Sequence, residues 1–212
     1  MTVLAQPTLD DLPEHLVLYD VDWAFYDQLL KQIGNRPLRV TYDNGDLEIM
    51  SPLPEHDWVK SLVGRMIETL SIELEIPIRS QGSTTYRHKA KRKGLEPDEC
   101  YYIQREPKLR GKRTFDPSRL SPDLAVEVDV THRSIPRMPI YAALEVPEVW
   151  RHDGHELFAL KLVRGEYAET INSVAFPFLK VRELNQFIEL ADAQSEYEAI
   201  KAFQAWIRQY KR

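Results

Sequence analysis

The sequence has 212 residues, of which 43% are hydrophobic and 29% are charged, which suits one globular domain with a substantial core. A net charge of −5 excludes a general electrostatic attraction to nucleic acid, and a single cysteine excludes an internal disulfide. The chain has no apolar run of about eighteen residues, the length of a membrane-spanning helix, and its first residues lack the pattern of a secretion signal, so we expect a cytoplasmic protein.

The first third of the chain predicts two helices with a hairpin between them. Residues 1–20 show no periodicity and are expected to form an extended arm. Asp22 is a typical helix N-cap and Gly34 a typical C-terminal cap, so a helix is predicted between them. The sequence D-N-G-D at 43–46 predicts a tight hairpin turn. Apolar residues recur at helical spacing over residues 56–74, which predicts a long amphipathic helix.

The rest of the chain mixes strands and helices. The polar stretch 105–121 is predicted to be a long loop, and a short helix is predicted to begin near Pro136. Asp153-Gly154 and Arg164-Gly165 mark two further turns between strands. Strands are predicted at 76–80, 84–88, 100–104, 124–131, 146–151 and 156–163, and helices at 181–191 and 196–208.

This order of elements predicts an α/β (α+β) fold in which a mixed β-sheet is flanked by helices. We expect residues 21–180 to form the main domain and the helices of 181–212 to pack on it, with 1–20 as an N-terminal arm.

The stretch L-A-V-E-V-D-V-T at 124–131 places two carboxylates on one face of an apolar strand. Because side chains alternate along a strand, Leu124 and the valines share one face, while Glu127 and Asp129 share the other. Two carboxylates this close repel each other. Exposure to water, pairing with basic side chains or binding of a metal ion would each relieve that repulsion.

A further acid, Asp98, follows a proline at the start of a predicted strand, and that strand can lie beside the one that carries Glu127. Mg²⁺ is typically held by one or two carboxylates together with water and substrate phosphates, so Asp98 and Glu127 are a candidate metal clamp. The alternative is an ordinary turn, because Pro-Asp dipeptides are common turn formers. Pro122-Asp123 repeats the dipeptide, but it lies on the strand of Glu127 and cannot supply the neighbouring carboxylate.

Four segments carry a resemblance to a known family. They are D-N-G-D-L-E-I-M-S-P-L-P-E-H-D-W-V at 43–59, E-P-D-E-C-Y-Y-I at 96–103, P-D-L-A-V-E-V at 122–128 and I-Y-A-A-L-E-V-P-E-V-W-R at 140–151. In this order the segments resemble the Uma-type endonuclease family of the PD-(D/E)XK nuclease superfamily. The resemblance implies a restriction-endonuclease-like fold and a Mg²⁺-dependent endonuclease, with Mn²⁺ as an alternative ion, that hydrolyses DNA phosphodiester bonds. We also expect a homodimer.

The resemblance implies that Asp98 and Glu127 hold the ion and that His56, which opens a helix, belongs to the active site. The E-x-K lysine of the superfamily is replaced by Asp129, which becomes a possible third ligand. Relatives often carry the lysine four residues before a tyrosine, and that position is Arg137 here, before Tyr141. Arginine can steady a phosphate but cannot act as a base. The alternative function is therefore a catalytically weakened nuclease-like module for DNA binding or protein interaction.

Other candidates have plainer alternatives. Glu48 is a possible further acid of the site, or a solvated strand residue, and His56 is alternatively a partly exposed residue of a helix start. Two basic segments, at 87–93 and 108–113, are predicted to contact the DNA backbone, with a pair of solvated loops as the alternative. The cations predicted to bind in the first segment are Arg87, Lys89, Lys91, Arg92 and Lys93.

Overall fold

The computed structural model describes residues 15–34, 36, 38–51, 54–82, 84–129 and 134–211. The helices in these ranges are α1 (Trp23–Ile33), α2 (Pro54–Glu73), α3 (Met138–Ala143), α4 (Asn185–Ala193) and α5 (Glu196–Ile207). The strands are β1 (His15–Leu18), β2 (Arg39–Asp43), β3 (Asp46–Met50), β4 (Arg79–Ser80), β5 (Tyr86–His88), β6 (Lys93–Leu95), β7 (Glu99–Tyr102), β8 (Leu124–Val128), β9 (Glu148–His152), β10 (Leu157–Val163) and β11 (Glu166–Thr170). None of these helices combines the length and the apolar composition that a membrane crossing requires.

The described strands form two sheets. The first has the order β1-β3-β2-β6-β5, with antiparallel neighbours throughout. The second has the order β11-β10-β9-β8-β7-β4 and is mixed, because β8 and β9 run parallel while the other neighbours are antiparallel. The predicted α+β class with a mixed sheet and flanking helices is confirmed, and the strands are divided between two sheets.

Local sequence signals explain several element boundaries. The Asp22 carboxylate accepts a hydrogen bond from the Phe25 N–H at 2.7 Å and so caps α1, which ends at Gly34 with a positive φ of 58°. The predicted turn joins β2 to β3, and its central residues Asn44 and Gly45 both have positive φ. The predicted loop 105–121 contains two short 3-10 turns, and residues 15–18 of the predicted arm form β1.

The main core lies between the second sheet and helices α2, α4 and α5. The apolar face of β8, with Val126 and Val128, packs in one cluster with Leu62 and Met66 of α2 and Phe203 of α5. Because β8 has β7 on one side and β9 on the other, it is a central strand, as its valine content predicts.

The opposite face of β8 is covered by α3. Ala125 of β8 packs in a second cluster with Ile140 and Tyr141 of α3. Glu127 lies two residues after Ala125, so its side chain leaves the strand on the same face. The fold therefore directs the Glu127 carboxylate into the space between β8 and α3.

Gly94 of β6 lies so close to Tyr26 that we expect Gly94→Ala to destabilise the protein. A Cβ at residue 94 would overlap the Tyr26 hydroxyl and lie 2.9 Å from its Cζ. Tyr26 is fully buried and stacks on Tyr42 with ring centroids 4.8 Å apart, so the phenol has little room to move. We expect the substitution to lower the free energy of unfolding, measured by urea denaturation, by about 1–3 kcal/mol.

Tyr26→Phe provides the control for this steric explanation. The Tyr26 hydroxyl is buried and makes no hydrogen bond within the part of the chain that the structure describes, so its removal alone should change stability by less than about 1 kcal/mol. The double variant should recover part of the loss, because the atom nearest to the added methyl group is gone. Equal losses in the single and double variants would contradict the steric explanation.

Candidate active site

Asp98 and Glu127 meet at one end of the β7–β8 pair. In the antiparallel register Glu99 lies opposite Val126, so Asp98, which directly precedes β7, lies beside the end of β8. The Asp98 Oδ2 atom accepts a hydrogen bond from the Val128 N–H at 2.8 Å, which ties the acid to the neighbouring strand. Both carboxylates are fully buried. The predicted neighbouring-strand arrangement is therefore present, and exposure to water does not explain the acidic face at Glu127.

Two side chains of the α3 region contact the same oxygen of Glu127. Arg137, the N-cap residue of α3, places Nη2 3.0 Å from Glu127 Oε1. The Tyr141 hydroxyl donates a hydrogen bond to that Oε1. The i, i+4 spacing of Arg137 and Tyr141 puts them on one side of the helix, and the guanidinium carbon lies 5.9 Å from the tyrosine ring centroid. Of the three ways to relieve the carboxylate repulsion, pairing with a basic side chain is the one that the structure shows for Glu127.

The electrostatics keep both α3 side chains protonated. Burial acts to lower the pKa of Arg137, but the acidic groups around it, of which Glu127 has the largest effect, together outweigh burial and hold the pKa above its usual value. The pKa of Tyr141 is raised well above its usual value, first by burial and then by Glu127. Arg137 therefore stays a cation and Tyr141 stays a hydrogen-bond donor. Neither group can serve as a general base near neutral pH.

Arg137 is also held by the main chain before Asp98. Its Nη2 donates a hydrogen bond to the carbonyl oxygen of Glu96. Its Nε and Nη1 are buried and donate no hydrogen bond to any residue within the described ranges. A guanidinium carries five N–H donors, so Arg137 retains donors that an oxyanion could accept from.

Asp129, the predicted third ligand, is paired with a different arginine. Its Oδ2 atom accepts a hydrogen bond from Arg151 Nε at 2.8 Å, and the parallel register places Arg151 of β9 opposite Glu127. Among residues 15–211, leaving out those that the structure does not describe, no three His, Cys, Asp or Glu side chains are arranged to hold a metal ion. The set Asp98, Glu127 and Asp129 is thus not assembled as a three-carboxylate site in this structure.

The remaining acidic and histidine candidates differ in outcome. Glu48 on β3 is buried, and its Oε1 accepts a hydrogen bond from the Ser134 N–H at 2.9 Å, so its interpretation as a solvated strand residue is wrong. His56 falls in the first turn of α2, but its side chain lies outside the described part of the structure. Its predicted role stays a prediction.

The predicted DNA-contacting residues lie on the β5–β6 hairpin, and most have partners within the protein. Arg87 forms an ion pair with Asp27 and Lys93 with Asp43. The other two pairings are Lys91 with Glu145 at 2.8 Å and Arg92 Nη2 with the Tyr42 hydroxyl at 3.4 Å. Lys89 is exposed at the turn of the hairpin. The segment is thus less available to a phosphate backbone than its sequence indicates.

A groove of about 770 Å³ runs between α1 and this hairpin, and its lining includes Trp23, Thr85, Arg87 and Lys89. The Thr85 hydroxyl donates a hydrogen bond to the Glu96 carboxylate at 2.8 Å, and the Glu96 carbonyl oxygen holds Arg137. Glu96 therefore connects the groove wall to the buried carboxylates.

Sequence reasoning missed the roles of Tyr141 and Glu96. In the sequence, the position of Tyr141 serves only to locate Arg137. The hydrogen bond from Tyr141 to Glu127 depends on how α3 packs against β8, which the sequence does not show. The i, i+4 spacing with Arg137 was the available signal. Glu96 contributes a main-chain oxygen, for which side-chain identity gives no signal.

Comparisons with known proteins agree with this architecture. The model of a family described as "Uma2: Putative restriction endonuclease" matches residues 23–192. No curated protein matches the chain. A solved structure described as "a putative nuclease belonging to DUF820 from Anabaena variabilis ATCC 29413" superposes with a TM-score of 0.53 and 13% identity, covering 85% of this chain and 97% of that one. At that identity the likeness shows a shared fold alone.

Proposed function

The chain belongs to the Uma2 family of restriction-endonuclease-like proteins, and we propose that it is a divalent-metal-dependent endonuclease that hydrolyses phosphodiester bonds in DNA. The observation that carries the proposal is the buried pair of Asp98 and Glu127, one from each of two neighbouring strands, with Arg137 beside them. In this proposal the ion is Mg²⁺, for which Mn²⁺ can substitute. The cytoplasmic location, the homodimer and the domain boundaries at residues 20 and 180 stay predictions.

The donor chemistry at these strand ends fits a hard cation. Mg²⁺ favours carboxylate oxygens, usually from one or two side chains, and completes its shell with water and substrate. Asp98 and Glu127 would hold it, with Asp129 and Glu48 as further candidate acids. When bound there, Mg²⁺ would supply polarisation of the phosphate and a lowered pKa of the attacking water.

Arg137 and Tyr141 supply the rest of the proposed mechanism. Arg137 stays protonated, and its buried Nε and Nη1 donors would steady the negative charge that develops on the phosphate oxygens. Tyr141 fixes the orientation of Glu127 through its hydrogen bond to Oε1. The groove beside Lys89 and Arg87 would carry the DNA backbone, through contacts that weaken as salt rises.

We expect Asp98→Asn to lower Mg²⁺-dependent nicking of plasmid DNA by about 100-fold or more, because the ion would lose one of its two charged ligands. Initial rates with Mg²⁺ or Mn²⁺ give the measurement. Asp123→Asn is the matched control, since Asp123 also follows a proline but caps the N–H groups of Ile103 and Arg105 at 2.7 and 2.8 Å. The control should retain cleavage per folded molecule, and unchanged cleavage by Asp98→Asn would contradict the proposal.

The second candidate is a nuclease-like module that binds DNA without cleaving it. The Arg137–Glu127 ion pair favours this candidate, because the carboxylate is already neutralised and the lysine position of the superfamily is occupied by an arginine. Incubation of the purified protein with plasmid and Mg²⁺ or Mn²⁺, followed by DNA binding across a salt series, distinguishes the two. Salt-sensitive binding without nicking would support the module.

A further inference from the structure

The contact between Arg137 and Glu127 is deeply buried. The side chain of Arg137 is 3% exposed and that of Glu127 is 0% exposed, with Nη2 and Oε1 3.0 Å apart. Removing each ion from water costs several kcal/mol, and only their attraction and surrounding hydrogen bonds offset that cost. The charge of Glu127 is therefore already compensated by a group of the protein itself.

The same oxygen of Glu127 receives two donors from the α3 region. Arg137 and the Tyr141 hydroxyl both contact Oε1. A cation that coordinates this oxygen has to replace these contacts, and it meets the positive charge of the guanidinium within a few ångströms. Arg137 and a divalent ion therefore compete for the negative charge of Glu127, while Tyr141 carries no charge and opposes an ion only through its hydrogen bond.

We propose that Arg137 is a resident counter-ion of the carboxylate pair, which offsets the charge of Glu127 without a metal and with which a divalent ion must compete for Glu127. The proposal rests on the proposed function, in that it takes Asp98 and Glu127 as the ligands. It assigns Arg137 a role before any reaction, because the guanidinium sets how tightly the protein binds the ion.

Titration of the 212-residue chain with Mn²⁺ alone, monitored by isothermal calorimetry, tests the proposal. The guanidinium lies 3.0 Å from Glu127 Oε1 and repels a cation bound there, so we expect Arg137→Met and Arg137→Gln to bind Mn²⁺ at least about 10-fold more tightly than the parent protein. Methionine fills the volume of the arginine stem, and glutamine provides a second neutral variant. Tyr141→Phe, which removes an uncharged donor from the same oxygen, should stay within about 3-fold of the parent.

Thermal melting with EDTA or Mn²⁺ gives a second readout that tolerates a destabilised variant. Without metal, Arg137→Met removes the positive charge beside the buried Glu127 and should melt below the parent protein, and Mn²⁺ should raise its melting temperature more than that of the parent. Arg208→Gln is the control, because it removes a guanidinium paired with Glu73 at 2.7 Å on α2 and should not change the Mn²⁺ response.

Equal Mn²⁺ affinity and equal melting shifts in the parent and both neutral variants would overturn the counter-ion role. If Glu127→Gln abolished that shared binding, the metal site of the proposed function would stand without the counter-ion. If Glu127→Gln changed nothing, both proposals would fail. Tighter binding in Arg137→Met that disappears in the Glu127→Gln/Arg137→Met double variant supports the proposal, because it places the ion at Glu127.

Discussion

Removal of either member of the Arg137–Glu127 pair is expected to lower the free energy of unfolding by about 3–5 kcal/mol, because the remaining group is left as a buried charge without its partner. Both side chains are almost fully buried, so water cannot screen the loss. The variants are Glu127→Ala and Arg137→Met, and urea denaturation in EDTA at pH 7 measures the change. A loss of this size is a large share of the stability of a typical domain.

The double variant Glu127→Ala/Arg137→Met distinguishes the pair from two unrelated core positions. Because it leaves neither charge behind, we expect its loss to be smaller than the sum of the single losses by at least about 1 kcal/mol. The partly exposed pair Asp129–Arg151 next to the end of β8 is the control, because its side chains are 16% and 37% exposed, and the same cycle there should give a smaller coupling of about 1 kcal/mol or less. Additive losses at Glu127 and Arg137 would argue against the ion pair.

The elements that the sequence predicts well are those with local causes. The helical spacing over 56–74 corresponds to α2, and the Asp22 cap and the D-N-G-D turn appear at α1 and the β2–β3 hairpin. In each of these cases the signal and the structure lie within a few residues of each other. The alternation in β8 likewise identifies its buried valine face and the opposite face that carries Glu127.

The candidate site was predictable only in part, because its contacts depend on how distant elements pack. The neighbouring positions of Asp98 and Glu127 follow from the order of strands. The partner of Asp129 follows from the parallel register of β8 and β9, which the intervening chain sets and the local sequence does not encode. The buried Glu48 carboxylate accepts its hydrogen bond from Ser134, 86 positions along the chain.

Charge counting along the sequence also overstated the basic hairpin. Five cations within seven residues predict a phosphate-binding patch, but that pattern contains no information on the acids that face it. Asp27 comes from α1, Asp43 from β2 and Glu145 from the turn after α3. Those partners come together only in the folded chain.

Glu148, in the Val-Pro-Glu-x-Trp block, is a buried acid that serves the fold. Its Oε1 accepts a hydrogen bond from the Trp150 indole at 2.8 Å. Its Oε2 accepts from the Ser173 hydroxyl at 3.0 Å and the Ala175 N–H at 2.7 Å. Burial raises the pKa of Glu148, although these donors act to lower it. The carboxylate therefore holds residues 173–175, which follow β11, against β9.

We expect Glu148→Ala to lower the free energy of unfolding in urea by about 3 kcal/mol or more, because three buried donors lose their acceptor. Glu148→Gln should lose less but remain destabilised, since an amide group has one acceptor oxygen and its NH₂ would face either Trp150 or Ala175. Glu166→Ala, an exposed glutamate on β11, should change stability by about 0.5 kcal/mol or less. If Glu148→Ala lowered the free energy of unfolding no more than Glu166→Ala, Glu148 would not hold this segment against β9. The expected result assigns different roles to two acidic residues of the family motifs. Replacement of Glu148 would lower the stability of the fold, whereas replacement of Asp98 would lower the rate of DNA cleavage.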